Sequence, residues 1–170
     1  MFTYEPIDSV PEESKAGTER AAGGGEPMTL TFDGTVVVPA ADPDDGERTA
    51  TALAAHLGES STVILVNVIE KGGGSIDKAP MERRKEYADE IFERAREPLV
   101  DAPGTVETAT LFGTDVVGTI FEAADDRDAD AVVFTARKSN RLAELLTGDV
   151  ARKMVKRAAI PVVALPLEQN

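Results

Sequence analysis

Segments with the length and composition of β-strands alternate along the chain with segments of helical periodicity, and this alternation constrains the fold more than any single motif. The strand-like segments are residues 36–38, 62–69, 105–111, 131–134 and 161–165. Most are nearly continuous apolar runs, typical of strands buried on both faces of a parallel sheet, whereas residues 105–111 alternate in polarity as an edge strand does. The order predicts one α/β domain, with helices on both faces of a five-stranded parallel sheet in a Rossmann-like arrangement.

Helical periodicity and capping residues mark the segments between the strands. The helices are predicted over residues 47–57, 80–100, 116–124 and 148–158. Asp44 or Asp45 is the expected N-cap of the first helix, and Gly58 is the residue expected to end it. In the second helix, Pro98 should loosen the last turn. The apolar stripe of that helix consists of Tyr87, Ala88, Ile91, Phe92, Ala95 and Leu99.

The charge composition is strongly acidic. The chain has 31 acidic and 18 basic residues, which gives a net charge of −13 at pH 7. An acidic surface opposes binding to nucleic acid and to anionic membranes, and a surface rich in carboxylates but poor in Lys is typical of proteins from very salty cytoplasms. We therefore expect a halophilic protein, with a merely acidic mesophilic protein as the alternative, and the two absences that follow lead us to expect that it is cytoplasmic. No apolar run approaches the ~20 residues of a membrane span, and no signal-peptide pattern begins the chain.

The residue types that most catalytic and metal sites need are scarce. There is no cysteine and a single histidine, His56, so thiolate sites, His-rich metal sites and a Cys nucleophile are excluded. His56 has no evident catalytic partner and is expected at the end of a helix. The three glycines of residues 72–74 match neither common phosphate-binding pattern, so we interpret this segment as a crossover loop. The sequence predicts neither a metal site nor an enzyme.

Residues 1–28 differ in composition from the rest of the chain. They contain three prolines, a run of three glycines and few residues of core type, which is typical of a tail or linker. We therefore expect a flexible N-terminal tail over residues 1–28 and one domain over residues 29–170. Four apolar residues near the start could dock as a short extended segment on this domain or on a protein partner: Phe2, Tyr4, Ile7 and Val10.

The turn that follows residues 131–134 is the leading place for a small-molecule site. Ligands of open α/β sheets bind beyond the carboxyl ends of the strands, and a helix N-terminus there offers free N–H groups to an anion. The turn carries Arg137 and Lys138, and an apolar helical pattern follows at residues 142–146. Residues 137–157 include seven basic and two acidic residues, which indicates either a local anion site or a helix paired with acidic neighbours.

Three stretches of the chain resemble the universal stress protein family. Residues 36–42 (VVVPAAD) resemble the family's first strand, residues 112–124 (FGTDVVGTIFEAA) resemble the segment that opens its third helix, and residues 128–166 resemble the signature of its C-terminal half. The resemblance implies a stress-response protein with the adenine-nucleotide alpha-hydrolase-like fold. It also implies a homodimer that pairs through the last strand, residues 161–165, and an apolar edge strand needs such cover.

Some members of this family bind ATP, and their glycine motif is only partly kept in this chain. On the motif Gly-x-x-Gly-(nine residues)-Gly-Ser/Thr, the first two glycines fall on Thr135 and Lys138, Gly148 is kept, and Asp149 replaces the hydroxyl residue. The Cβ atom of Lys138 could obstruct a phosphate, and Asp149 would repel one. The family's adenine-binding Asp falls on Ala41, with Asp42 adjacent.

Two functional hypotheses follow from this resemblance. The first is a regulatory homodimer without strong ATP binding. The alternative is that ATP or another adenine nucleotide binds between residues 39–42 and residues 135–149, where cationic side chains could contact phosphate. The candidate contact residues for such a ligand are Ala40, Ala41, Asp42, Val68, Thr135, Arg137, Lys138, Gly148, Asp149 and Val150.

Overall fold

The computed structural model describes residues 29–71, 78–135 and 149–167, without the side chains of residues 78 and 79. The strands are β1 (Thr35–Pro39), β2 (Thr62–Glu70), β3 (Thr105–Gly113), β4 (Ala131–Thr135) and β5 (Val162–Leu165). The α-helices are α1 (Pro43–Ala54), α2 (Lys78–Arg96), α3 (Val116–Asp125) and α4 (Asp149–Lys156), and a 3₁₀ turn, Glu97–Leu99, follows α2. Within these residues, no helix is long and apolar enough to cross a membrane.

All five strands form one parallel sheet in the order β3-β2-β1-β4-β5, as the alternation of strands and helices predicts. β3 lies at one edge, in agreement with its alternating polarity, and β5 lies at the other. Pro39, the last residue of β1, is opposite Val66, so β2 continues four residues beyond β1. The carboxyl end of β1 is therefore flanked by the longer β2 on one side and by β4 on the other.

Helices cover both faces of the sheet because successive residues of a strand point to opposite faces. Val38 of β1 belongs to a buried cluster with Leu53 of α1 and the buried side of α2. Val37, the preceding residue, belongs to a second cluster with Ile120 of α3 and Met154 of α4. The prediction of a parallel sheet between two layers of helices is confirmed.

The first helix begins before residue 47 and has a different cap from the one predicted. Asp42 is the N-cap, and its Oδ1 atom accepts a hydrogen bond of 2.8 Å from the backbone N–H of Asp45. Pro43 occupies the first helical position, where its fixed φ suits the helix and its missing N–H is not needed. Asp44 and Asp45 therefore lie in the first turn and not at the cap.

The end of α1 also differs from the prediction, because the last helical residue is Ala54. Gly58 does not terminate the helix. Its N–H donates to the carbonyl oxygen of Phe32 at 2.8 Å, and an isolated parallel bridge pairs Phe32 with Leu57. The turn after α1 is therefore hydrogen-bonded to the segment that precedes β1. Helix-capping patterns consider only residues near the helix end, so they do not predict this contact.

Helix α2 shows the predicted effect of Pro98. The regular helix ends at Arg96, and the next three residues form the 3₁₀ turn. The assignment of Tyr87 to the apolar stripe is wrong, since its side chain is 46% exposed. Ala88 and Ile91 define the buried face, and a step of one residue back rotates a side chain by about 100° away from it.

Helix α4 spans Asp149–Lys156 in the described part of the chain and ends two residues before the predicted Ala158. Met154 is its buried residue. The predicted helical pattern at residues 142–146, the N-terminal segment of residues 1–28 and the glycines of residues 72–74 lie outside the described residues.

Candidate functional site

The carboxyl ends of β1 and β4 mark the point at which the chain reverses its direction across the sheet. The two strands are neighbours, with Val37 opposite Val132. After β1 the chain enters α1, which packs on the same face as α2. Helix α4, the next described element after β4, packs with α3 on the opposite face. In open α/β sheets a crevice forms between strands whose connections leave to opposite faces, and ligands bind there.

Backbone and side-chain hydrogen bonds hold the turn between β1 and α1 against β2. The N–H of Ala40 donates to the carbonyl oxygen of Val66 at 2.9 Å. The carbonyl oxygen of Ala40 accepts a 2.8 Å hydrogen bond from Nδ2 of Asn67, a side chain that is 8% exposed. Both polar groups of Ala40 are therefore bonded to β2, which fixes the position of this part of the candidate site relative to the sheet.

The acidic residues of the same turn bind its backbone. The N–H of Ala41 donates to Oδ2 of Asp45 at 3.1 Å, and Asp42 caps α1 through the N–H of Asp45. Ala41 is exposed and Asp42 is half-buried. The carboxylate of Asp42, which the sequence offers as a substitute for the adenine-binding Asp, is therefore a structural element of the helix terminus.

The last residue of β4 faces the protein interior. Thr135 is 4% exposed, and its Oγ1 atom lies 2.9 Å from Oγ1 of Thr49, a fully buried residue of α1. This hydroxyl pair joins β4 to α1 across the point of reversal. Thr135 occupies the place of the first motif glycine, and its side chain packs into the domain on the side of α1.

The start of α4 presents a carboxylate and an apolar side chain. Asp149 is the first residue of the helix, and its Oδ2 atom lies 2.5 Å from Nζ of Lys153. Val150 is exposed. A carboxylate in the first turn of a helix interacts favourably with the helix dipole. Asp149 therefore provides the negative charge that an anionic ligand would otherwise bring to the start of α4.

Val68 lies on the part of β2 that extends beyond β1, and it packs, partly buried, against the cluster that contains Val37. The structure thus brings Ala40, Ala41, Asp42 and Val68 to one edge of the sheet, next to Thr135. Arg137, Lys138 and Gly148 lie outside the described residues.

The basic residues of α4 are partly paired. Arg157, which directly follows the helix, contacts Asp115 before α3, with Nη1 at 3.0 Å from Oδ1 and 2.8 Å from Oδ2. The guanidinium of Arg157 lowers the pKa of the Asp115 carboxyl. Among the described residues, Arg152 and Lys156 are exposed and form no ion pair. Pairing with acidic neighbours therefore accounts for only part of the excess of basic residues.

Catalytic groups are sparse in the part of the chain that the structure describes. It contains no group of three or more His, Cys, Asp or Glu residues arranged to hold a metal ion. Nδ1 of His56 lies 2.7 Å from the carbonyl oxygen of Leu30, so His56 binds the segment before β1, at the helix end where the sequence predicts it.

The sequence profile of the universal stress protein family matches residues 34–166. The chain belongs to the universal stress protein family. This match runs from β1 to the end of β5 and includes both the turn after β1 and the start of α4. Family membership makes the chain a stress-response type protein. No match to the chain is found among curated proteins.

Solved structures of universal stress proteins share this fold. The protein from Archaeoglobus fulgidus in complex with dAMP is 23% identical, with a TM-score of 0.54, over 80% of this chain and 99% of that chain. A universal stress protein in complex with cAMP is 19% identical, with a TM-score of 0.55, over 79% and 97%. UspA from Lactobacillus plantarum is 16% identical, with a TM-score of 0.58, over 82% and 99%.

Two residues of the candidate site were missed by the sequence analysis. Asn67 is the one polar residue within the run VILVNVI, residues 63–69, and a buried amide in such a run has to find a hydrogen-bond partner. That signal was available. Thr49 gave no comparable signal, because its partner Thr135 is 86 residues away.

Proposed function

We propose that this universal stress protein is a non-enzymatic, cytoplasmic regulator that forms a homodimer and does not bind ATP strongly. The observation that carries the proposal is Asp149, whose carboxylate stands at the first position of α4 and is paired with Lys153. A carboxylate at that position satisfies the helix dipole, a contribution of about 0.3–1 kcal/mol. It also repels the phosphate that the hydroxyl residue of ATP-binding members would bond.

The test restores the hydroxyl. Asp149→Ser removes the negative charge from the start of α4 and should raise the affinity for ATP with Mg²⁺ at least tenfold, a change of about 1.4 kcal/mol. Asp126→Ser, which removes an exposed carboxylate at the far end of α3, is the matched control and should leave the affinity unchanged. Isothermal titration calorimetry in low salt and in multimolar KCl measures both variants. Equal affinities for the unsubstituted protein and Asp149→Ser would contradict the proposed role of Asp149.

The second candidate function is adenine-nucleotide binding at the same place. The turn after β1, which is hydrogen-bonded to β2, lies at the chain reversal, where α/β sheets bind ligands. The solved relatives in complex with dAMP and cAMP support an adenine ligand. Titration of the unsubstituted protein with ATP, dAMP and cAMP distinguishes the two candidates. Saturable micromolar binding of one of them would favour the second candidate over the first.

The homodimer is proposed to form through β5. The carbonyl oxygen of Pro161 accepts from the N–H of Val132, so Pro161 faces β4. Since alternate residues of a strand direct their backbone groups to opposite sides, Ala164 directs its N–H to the open edge. Ala164→Pro removes that donor without affecting the bonds to β4, and it should convert a dimer to a monomer in analytical ultracentrifugation. A monomeric unsubstituted protein would refute this part of the proposal.

A further inference from the structure

The outward face of α4 combines basic and apolar side chains. Val155 and Lys156 follow Arg152 by three and four residues, so each lies about one helical turn from Arg152 and all three side chains share this face. Val155 is 65% exposed, and both cations are exposed without an ion pair among the described residues. An aliphatic side chain beside two cations that have no ion pair among the described residues is suited to an occupant that is both acidic and apolar.

This face contrasts with the rest of the domain. Residues 149–157 hold four basic and one acidic residue, whereas the other described residues hold 9 basic and 21 acidic residues. A segment with negative charge is therefore repelled by most of the described surface and attracted to α4.

The N-terminal segment of this chain has the complementary composition. Residues 2–13 (FTYEPIDSVPEE) contain four acidic residues and no basic residue, interleaved with Phe2, Tyr4, Ile7 and Val10. Between residue 13 and the first described residue, Thr29, the chain can span about 50 Å when extended. A domain of this size has a radius of gyration of about 14 Å, so this span reaches across most of its surface.

We propose that residues 2–13 dock on the outward face of α4 in the same chain, with carboxylates beside Arg152 and Lys156 and an apolar side chain on Val155. Short-range contact between apolar groups supplies affinity, and charge complementarity selects α4 over the acidic remainder of the surface. The docked segment covers the basic face of α4, and the interaction weakens as salt screens the charges.

The experiment uses the full chain, which has no native cysteine. Ser14→Cys carries a nitroxide label, and the paramagnetic broadening of backbone amide signals is recorded by NMR. We expect the signals of residues 152–156 to lose at least about twofold more intensity than those of residues 83–87, a basic stretch of α2. In the same labelled protein, without any substitution on α4, increasing KCl should reduce this difference in signal intensity.

Charge reversal locates the interaction. Arg152→Glu with Lys156→Glu should abolish the selective broadening, whereas the matched pair Arg83→Glu with Lys85→Glu on α2 should retain it. Adding Glu12→Lys and Glu13→Lys to the reversed α4 should restore it. Uniform broadening, broadening centred on another element, or broadening seen only between labelled and unlabelled copies in a mixed sample would each overturn docking within one chain.

Discussion

The hydroxyl groups of Thr49 and Thr135 lie 2.9 Å apart in the buried interior and join α1 to the end of β4. The pair lies where the connections after β1 and β4 leave to opposite faces of the sheet. Thr135 directly precedes the candidate anion-binding turn, and α1 directly follows the turn after β1. The hydroxyl pair thus connects the two turns that form the candidate site.

Removing one hydroxyl of this pair should destabilise the domain. Thr49→Val and Thr135→Val each leave one buried hydroxyl without its partner, which costs about 1–3 kcal/mol in the free energy of unfolding. The double substitution should cost less than the sum of the two, because it leaves neither group unsatisfied. Urea denaturation of the four proteins measures the coupling. Additive effects would show that the two hydroxyl groups do not interact.

Asn67 should control the rigidity of the turn after β1. Asn67→Leu removes the donor to Ala40 and leaves a carbonyl oxygen beside an apolar side chain, so we expect a loss of about 1–3 kcal/mol in stability. Faster amide hydrogen exchange at residues 40–42 should accompany it, whereas Glu107→Leu on the exposed part of β3 should not change that exchange. Unchanged exchange at residues 40–42 in Asn67→Leu would show that the amide does not hold the turn.

The Asp115–Arg157 pair should give stability a pH dependence. Arg157 lowers the pKa of the Asp115 carboxyl below its ordinary value of 3.8. A carboxyl with a lowered pKa in the folded state stabilises the fold above its unfolded-state pKa, and this stabilisation is lost as the pH falls through the folded-state pKa. The stability difference between the unsubstituted protein and Asp115→Asn should thus be full at neutral pH and should vanish on acidification below 3.8.

Chemical denaturation between neutral and acidic pH measures this difference. Asp101→Asn is the control, because Asp101 is exposed and has no ion pair in the described part of the chain. Multimolar KCl should diminish the effect of Asp115→Asn, since both partners are solvent-accessible. A stability difference that persists unchanged at the acidic end would show that it does not arise from ionisation of Asp115.

The sequence predicts the sheet well because a strand that is buried on both faces consists almost entirely of apolar residues. Val37 and Val38 are both apolar since each faces a different layer of helices, and the irregular end of α2 follows from the chemistry of Pro98 alone. The cap of α1 was harder to predict, because three nearby Asp residues can all cap a helix. The choice of Asp42 depends on Pro43 and on the register of the turn against β2.

Contacts between distant residues account for most of what the sequence did not reveal. Gly58 is bonded to the segment before β1, and Arg157 pairs with Asp115 across 42 residues. Neither contact has a local pattern. The position of the candidate site follows from topology, whereas the hydrogen bonds that Asp42 and Thr135 make within the domain have no signal in the sequence.

The most direct test of the central claim is calorimetric titration of the unsubstituted full chain with ATP and Mg²⁺. Because Asp149 occupies the start of α4 and two motif glycines are replaced, we expect a dissociation constant weaker than about 1 mM, which corresponds to a binding free energy of about −4 kcal/mol or weaker. A saturable one-site isotherm with a dissociation constant of about 1 μM or tighter, about −8 kcal/mol, would contradict the account.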